Sequence, residues 1–335
     1  MNIMDCTLRD GANVLGNGFP EDLTRMILRG LVDNGIRIIE FGNAKGIGAY
    51  EVNGSIAPLT DEEYLKIGAE FHDQAEIGMF LNAKRFVPRY VSMSAQYKLS
   101  FLRVGADAGD VSKALQAVKC VKQAGIKAYY AMMKGYLLSP AALADEARIL
   151  ESNGVDAVII MDSAGTMRPD AVMEYVTELK AAVRIPVGFH GHNNLGFSVA
   201  NTAAAAKAGA DILDCCLLGM ARSAGNTPTE LAAATALNGP ESLSVDFYGL
   251  LDFLDQRLIP AMENHGYHTS LKPLELILGY CGCHSSFVPL FRKISEETGT
   301  GLFRLIVETS AANRKDPDEE LIRQKAAQII SAKGI

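Results

Sequence analysis

The stretch GFHGHNNLG, residues 188–196, sets two of the chain's six histidines two residues apart at the end of an apolar run. On a β-strand alternate side chains share a face, so His190 and His192 point one way while Phe189 and Gly191 point the other. Two neutral imidazoles on one face can clamp a metal ion, although the same spacing also suits a pair of core histidines. A nearby carboxylate favours the clamp, and CTLRDG, residues 6–11, offers Asp10 with Arg9 beside it. Asp10, His190 and His192 would form a two-histidine, one-carboxylate set for a divalent ion, with positions open for water and substrate. Arg9 brings a permanently charged donor fork to an oxygen that gains negative charge. Two further stretches belong with these. MDSAGTM, 161–167, carries Ser163, able to bind a carboxylate oxygen, and Asp162, suited to a helix cap or a structural acceptor. GMARSAGNTPTE, 219–230, places Asn226 as an oxygen near the metal, ahead of a helix N-terminus that favours an anion.

Such residues do chemistry only if a scaffold gathers them, and the chain repeats one phrase that specifies a scaffold. A helical pattern ends in Gly and an apolar run follows at once, as in VDNGIRIIEFG, KQAGIKAYYAMM, ESNGVDAVIIMD and AKAGADILDCCL. Gly fits the left-handed position just past a helix, and the short apolar runs fit strands buried on both faces of a parallel sheet. Strands are expected near 2–6, 36–41, 76–81, 99–105, 126–132, 157–162, 186–191 and 211–218. Between them lie helical segments, one opened by Ser139 as N-cap and Pro140 in the first turn. Eight βα units predict a (β/α)8 barrel over residues 1–239, with an open doubly wound sheet as the alternative. Beyond Gly239 only helical spacing remains, so 240–335 is expected to be a C-terminal helical domain. In barrels of this kind chemistry sits at the C-terminal ends of the strands, where Asp10, Ser163, His190, His192 and Asn226 all fall.

Composition narrows the partners. Hydrophobic residues are 48% and charged residues 21% of 335, which suits a packed core. A net charge of −7 without a basic cluster gives no footprint for nucleic acid or an anionic membrane. The amino terminus lacks a signal pattern and no apolar run nears the roughly 20 residues of a membrane span, so a cytoplasmic location is expected. Six scattered cysteines read as reduced core thiols. Lys84, Arg85 and Arg89, like Asn43, Lys45 and Tyr50, fall on loops at the barrel mouth, either as specificity residues or as solvated loop groups. Arg103, a charge inside a strand, must be paired, with Glu40 as a candidate.

LRDG, MDSAG, HGHNNLGFSVAN, GMARSAGNTPTE and LGYCGCHSSF together resemble the DRE-type TIM-barrel metallolyase superfamily, most closely its 4-hydroxy-2-oxovalerate (pyruvate) aldolases, across almost the whole chain. The resemblance implies a metal-dependent carbon–carbon lyase acting on a 2-oxoacid and an aldehyde through a pyruvate enolate. It implies that Asp10, His190 and His192 hold the ion, Mn²⁺ or else Mg²⁺, that Ser163 helps hold the carboxylate, and that Arg9 stabilises the enolate. It also brings two partners into view, an aldehyde dehydrogenase that receives the aldehyde and a second copy of the chain. Two departures stand out. The aldolases carry a histidine base shortly after LRDG, where Asn13 stands here, and an amide is no base near neutral pH. They carry a tyrosine where CHSSF has His284, which can take a proton at neutral pH and so supply the missing function from the helical module. The changes equally admit a Claisen-type acyl-CoA/2-oxoacid synthase, or a metal-binding partner subunit without turnover. A non-haem iron oxygenase would share the triad but not the eight βα units.

Overall fold

The computed structural model describes residues 1–237, 243–269, 273–283, 285–313 and 315–333. Each of the four glycines of the repeated phrase takes a positive φ, from 77° at Gly125 to 89° at Gly209. The residue after each reaches back into its helix: Ile36 N donates to Leu31 O, Ile126 to Val121, Val155 to Leu150 and Ala210 to Ala205. This is the six-to-one bond of a Schellman stop, which turns the chain and sends it back into the sheet. It also explains why β2 and β5 begin slightly later than apolar character alone predicts, since Ile36 and Ile126 belong to the helix exit.

The strands are β1 (Asn2–Asp5), β2 (Ile38–Phe41), β3 (Glu76–Asn82), β4 (Phe101–Asp107), β5 (Lys127–Met133), β6 (Ala157–Asp162), β7 (Val187–Gly191) and β8 (Ile212–Cys215). They pair in parallel and in chain order, and β1 closes on β8 through Asn2–Asp5 against Ile212–Cys215. Around them lie α1 (Glu21–Asp33), α2 (Ala49–Val52), α3 (Asp61–Ala69), α4 (Pro88–Gln96), α5 (Val111–Gln123), α6 (Pro140–Ser152), α7 (Pro169–Ala182), α8 (Ser198–Lys207) and α9 (Thr229–Leu237). The architecture is the (β/α)8 TIM barrel. Ser139 caps α6 by accepting from Ala142 N.

Alternate strand residues fill the interior. Met4, Ile38, Phe80, Phe101, Tyr129, Ala131, Ala157, Ile159, Met161 and Ile212 form one apolar cluster, which closes the lower barrel to water. The same alternation carries Glu40, Arg103, His190 and Asp214 inward above it, all without exposure. The interior therefore changes from apolar to ionic along its axis.

Two compact units divide the chain at Val245 and Asp246. The expected boundary after Gly239 lies outside the described residues. The second unit contains α10 (Phe247–Phe253), α11 (Ile259–Asn264), α12 (Pro273–Cys281), α13 (Val288–Thr298), α14 (Leu302–Ala312) and α15 (Glu319–Lys333), and no strand among its described residues. Phe291, Ile294, Leu305, Ile306 and Ile322 are buried. No described helix is long and apolar enough to cross a membrane.

One barrel residue makes stability depend on pH. Asp61 opens α3, and its Oδ2 accepts from Gly48 N at 2.7 Å while Oδ1 is buried without a partner among the described residues. Burial pushes its pKa up to about 6. The folded state thus favours the protonated acid, and that stabilisation, full below the ordinary value near 4, is lost as pH rises through 6. Asp61→Asn keeps an acceptor for Gly48 and carries no charge to bury. Its melting temperature is expected to exceed that of the parent by a few degrees at pH 7.5 and to match it at pH 4, a gain of about 1–2 kcal/mol after the lost helix-dipole contact. A lower Tm at pH 7.5 would contradict this.

Candidate metal centre

The turn after β1 is fixed by backbone bonds: Arg9 N and Asp10 N both donate to Cys6 O, at 3.0 and 2.8 Å. Leu217 N, beyond β8, donates to Thr7 Oγ1 at 2.7 Å, tying this turn to the last strand. Gly11 follows tightly, since a Cβ there would meet the Met220 side chain at 3.2 Å. On β7 His190 faces the interior, and His192 follows, its backbone bridging to Asn226 in the loop after β8. Gly165 closes over that strand end, with φ +59° and a Cβ position only 2.5 Å from Asn194 N, so that no side chain fits there.

These elements bring the expected ligands together. Asp10 Oδ2 lies 3.7 Å from His190 Nε2 and 3.6 Å from His192 Nε2, with all three residues buried. Those separations approach the spacing of adjacent donors around an ion with ligand bonds of about 2.1 Å. Buried polar atoms normally have partners. Here Arg9 Nη2, His190 Nε2, His192 Nδ1 and Asn226 Oδ1 have none among the described residues. Three of these, Arg9 Nη2, His190 Nε2 and Asn226 Oδ1, belong to side chains that meet at Asp10 and mark a place built for a bound group.

The charge states suit a cation. Burial would raise the Asp10 carboxyl, but the Arg9 guanidinium beside it and the hydrogen bond from Asn226 hold it well below the usual range, so it is an anion at neutral pH. Burial and the neighbouring His190 lower His192 to about 3, leaving a neutral imidazole with a lone pair, as a metal ligand requires. His190 Nδ1 lies 3.1 Å from Asp214 Oδ2, so its other nitrogen, Nε2, is the one that would meet an ion beside Asp10. A second set, Cys6, His190 and Asp214, also lies within ligand range of one another. It suits an ion poorly, because burial pushes the Cys6 thiol well up and Asp214 already pairs with Arg103.

Asn226 reaches the centre with its amide: Oδ1 is left without a partner among the described residues, and Nδ2 donates to Asp10 Oδ2 at 2.8 Å, which orients the carboxylate. Asn13 does likewise, donating from Nδ2 to Asp10 O at 2.8 Å and to Oδ1 at 3.3 Å. Arg9 divides its fork, Nε on Glu40 at 2.6 Å and Nη1 on Asp10 at 3.1 Å, with Nη2 left over. Ser163 stands at the end of β6, where its Oγ accepts from Lys134 N at 3.0 Å and Arg222 donates to its carbonyl. Asp162 is a loop acceptor for Thr166 N and Met167 N. His284 lies outside the described residues.

The mouth residues are committed to neighbouring groups. Lys84 and Lys134 both reach Asp107, Arg85 and Arg89 pair with Lys45 O and Glu51, and Asn43 holds Ser55 O. Sequence reading missed Asp214, whose acidic side chain within an apolar strand was the available signal, and recognised Glu40 only as a partner for Arg103.

The HMGL-like family profile matches residues 1–256. The chain is 30% identical over 332 residues to a 4-hydroxy-2-oxovalerate aldolase of Carboxydothermus hydrogenoformans, covering 99% of this chain and 98% of that protein. Among solved structures, the N-terminal domain of a putative aldolase from Bacteroides vulgatus superposes with a TM-score of 0.66 at 24% identity, over 82% of this chain and 92% of that one. The carboxyl transferase domain of Rhizobium etli pyruvate carboxylase, solved with 3-bromopyruvate, gives 0.67 at 17% identity, over 99% and 60%.

Proposed function

Since the chain belongs to the HMGL-like family, we propose that it is a divalent-metal-dependent aldolase that cleaves or forms a 4-hydroxy-2-oxoacid, with pyruvate and an aldehyde as the smaller partners. The observation that carries this is the convergence of Asp10, His190 and His192 with the orphaned Arg9 Nη2 at one end of a closed barrel. A divalent ion held by those three ligands would supply a Lewis acid for the 2-oxo and carboxylate oxygens of the substrate.

The protein's own groups account for the rest. In cleavage the 4-hydroxyl loses its proton, the C3–C4 bond breaks, the aldehyde leaves, and the bond's electron pair moves onto the 2-oxo oxygen before C3 is protonated. Arg9 Nη2 is the donor for that oxygen, preset by the two carboxylates that hold the other arms of its fork. Ser163 Oγ accepts from Lys134 N and keeps its hydroxyl hydrogen for the substrate carboxylate. Asn226 and Asn13 act by positioning, since both donate to Asp10. As an amide Asn13 cannot take a proton, and that step is assigned to His284 from the sequence. Mn²⁺ as the ion, an aldehyde dehydrogenase as consumer of the aldehyde, self-association and a cytoplasmic location complete this reading. Within it the barrel, residues 1–239, carries the metal site, and residues 240–335 are the C-terminal helical domain.

The test is exchange of the pyruvate methyl protons in D₂O, followed by NMR after adding Mg²⁺ or Mn²⁺ to metal-free protein. Metal-dependent exchange is expected. Confirmed metal binding without exchange would overturn the pyruvate reading and direct attention to acyl-CoA donors or a non-catalytic role. Retained exchange with lost aldol cleavage in His284→Ala supports the assigned proton acceptor, whereas retained cleavage removes it.

A further inference from the structure

Arg103 is a whole guanidinium in the barrel interior without exposure to solvent. Removing such a charge from water is expensive, and its persistence calls for a specific arrangement. Its Nε donates to Glu40 Oε1 at 2.7 Å, Nη2 donates to Glu40 Oε2, and Nη1 donates to Asp214 Oδ2. Glu40, Arg103 and Asp214 come from β2, β4 and β8. Alternate strands share an interior layer in such barrels, and here that layer is ionic where branched aliphatics are usual.

Each carboxylate has a second obligation. Glu40 Oε2 accepts from Arg9 Nε at 2.6 Å, and Asp214 Oδ2 lies 3.1 Å from His190 Nδ1. Arg9 and His190 in turn meet at Asp10, with Arg9 Nη1 3.1 Å from Oδ1 and His190 Nε2 3.7 Å from Oδ2. The residues thus close a ring: Arg103, Glu40, Arg9, Asp10, His190, Asp214 and back to Arg103. Two guanidinium groups and three carboxylates share this ring, and His190 Nε2 is left in it without a partner among the described residues. Only the planar fork of arginine holds two carboxylates at once in fixed directions.

Resting on the metal reading above, we propose that Arg103 is the positioning residue of this centre, holding the Nδ1–H tautomer of His190 through Asp214 and the direction of Arg9 through Glu40. It touches neither the ligand cluster nor the orphaned donor. Both depend on it through one intermediate carboxylate each.

Arg103→Lys keeps the charge and loses the fork. The full chain with Mn²⁺ alone, followed by electron paramagnetic resonance, is expected to bind the ion 10- to 100-fold more weakly, the usual range for a group behind a metal ligand. In metal-free protein, ¹⁵N shifts of His190 are expected to change from the single Nδ1–H tautomer to a mixture. A folded variant with lowered Tm but unchanged Mn²⁺ affinity and tautomer would overturn the proposal and leave Arg103 a purely structural ion. If Arg103→Lys does not fold, Asp214→Asn is read in the same two ways, with the same outcomes deciding. Pyruvate exchange is absent from both readouts. Its failure in the parent protein would sink the aldolase reading alone, and a parent that binds no Mn²⁺ would sink the metal reading while the tautomer still decides on Arg103.

Discussion

His190→Ala is expected to abolish both stable Mn²⁺ binding and pyruvate proton exchange, with turnover reduced by at least about 10³-fold. Two effects combine. A ligand is lost from a three-residue set, and a Lewis acid at a developing charge is worth several kcal/mol. Deleting the buried ring also removes one of the two partners of Asp214 Oδ2, the other being Arg103, so a loss of stability accompanies it. Asp10→Asn separates the two effects, because it keeps shape and spares Asp214. Full exchange activity in either folded variant would refute the assignment of these side chains as ligands.

Arg9→Ala has the second-largest expected effect, a 10²- to 10³-fold fall in kcat, equivalent to about 2.7–4 kcal/mol, the loss typical of one oxyanion donor. Its signature differs from that of a lost ligand. Arg9 Nη1 stands 3.1 Å from Asp10, so removing this cation relieves repulsion toward an incoming divalent ion. Mn²⁺ affinity should hold or rise while kcat falls. Glu40 keeps Arg103 as a partner in the variant, which limits the damage to the core. Arg9→Lys restores charge without the fork and is expected to recover only part of the rate. Unchanged turnover in Arg9→Ala would remove its catalytic role.

Much of this was legible before any coordinates. The helix–Gly–strand phrase encodes a backbone event, a left-handed residue that ends a helix, and four repetitions of it make a parallel barrel hard to avoid. His190 and His192 were readable as a same-face pair because strand alternation is a local rule. Asp10 and Asn226 were readable as belonging nearby because the barrel places every strand end on one rim. Direction at the rim was not legible. Asn226 offers its amide nitrogen to Asp10 and keeps Oδ1 without a partner among the described residues. The mouth lysines and arginines are held by carboxylates and carbonyls from other loops.

Residue types and spacing by themselves therefore determined the scaffold, the rim on which its strand ends gather and which side chains stand there as candidate ligands, because each follows from backbone periodicity over a few residues. Only the closed barrel decided how those side chains are held. The ring from Arg103 through Glu40, Arg9, Asp10, His190 and Asp214 joins residues up to 205 positions apart, the span from Arg9 to Asp214. Its geometry rests on strand register across the barrel interior, where low polarity makes every unpaired charge costly and so fixes which oxygen meets which nitrogen.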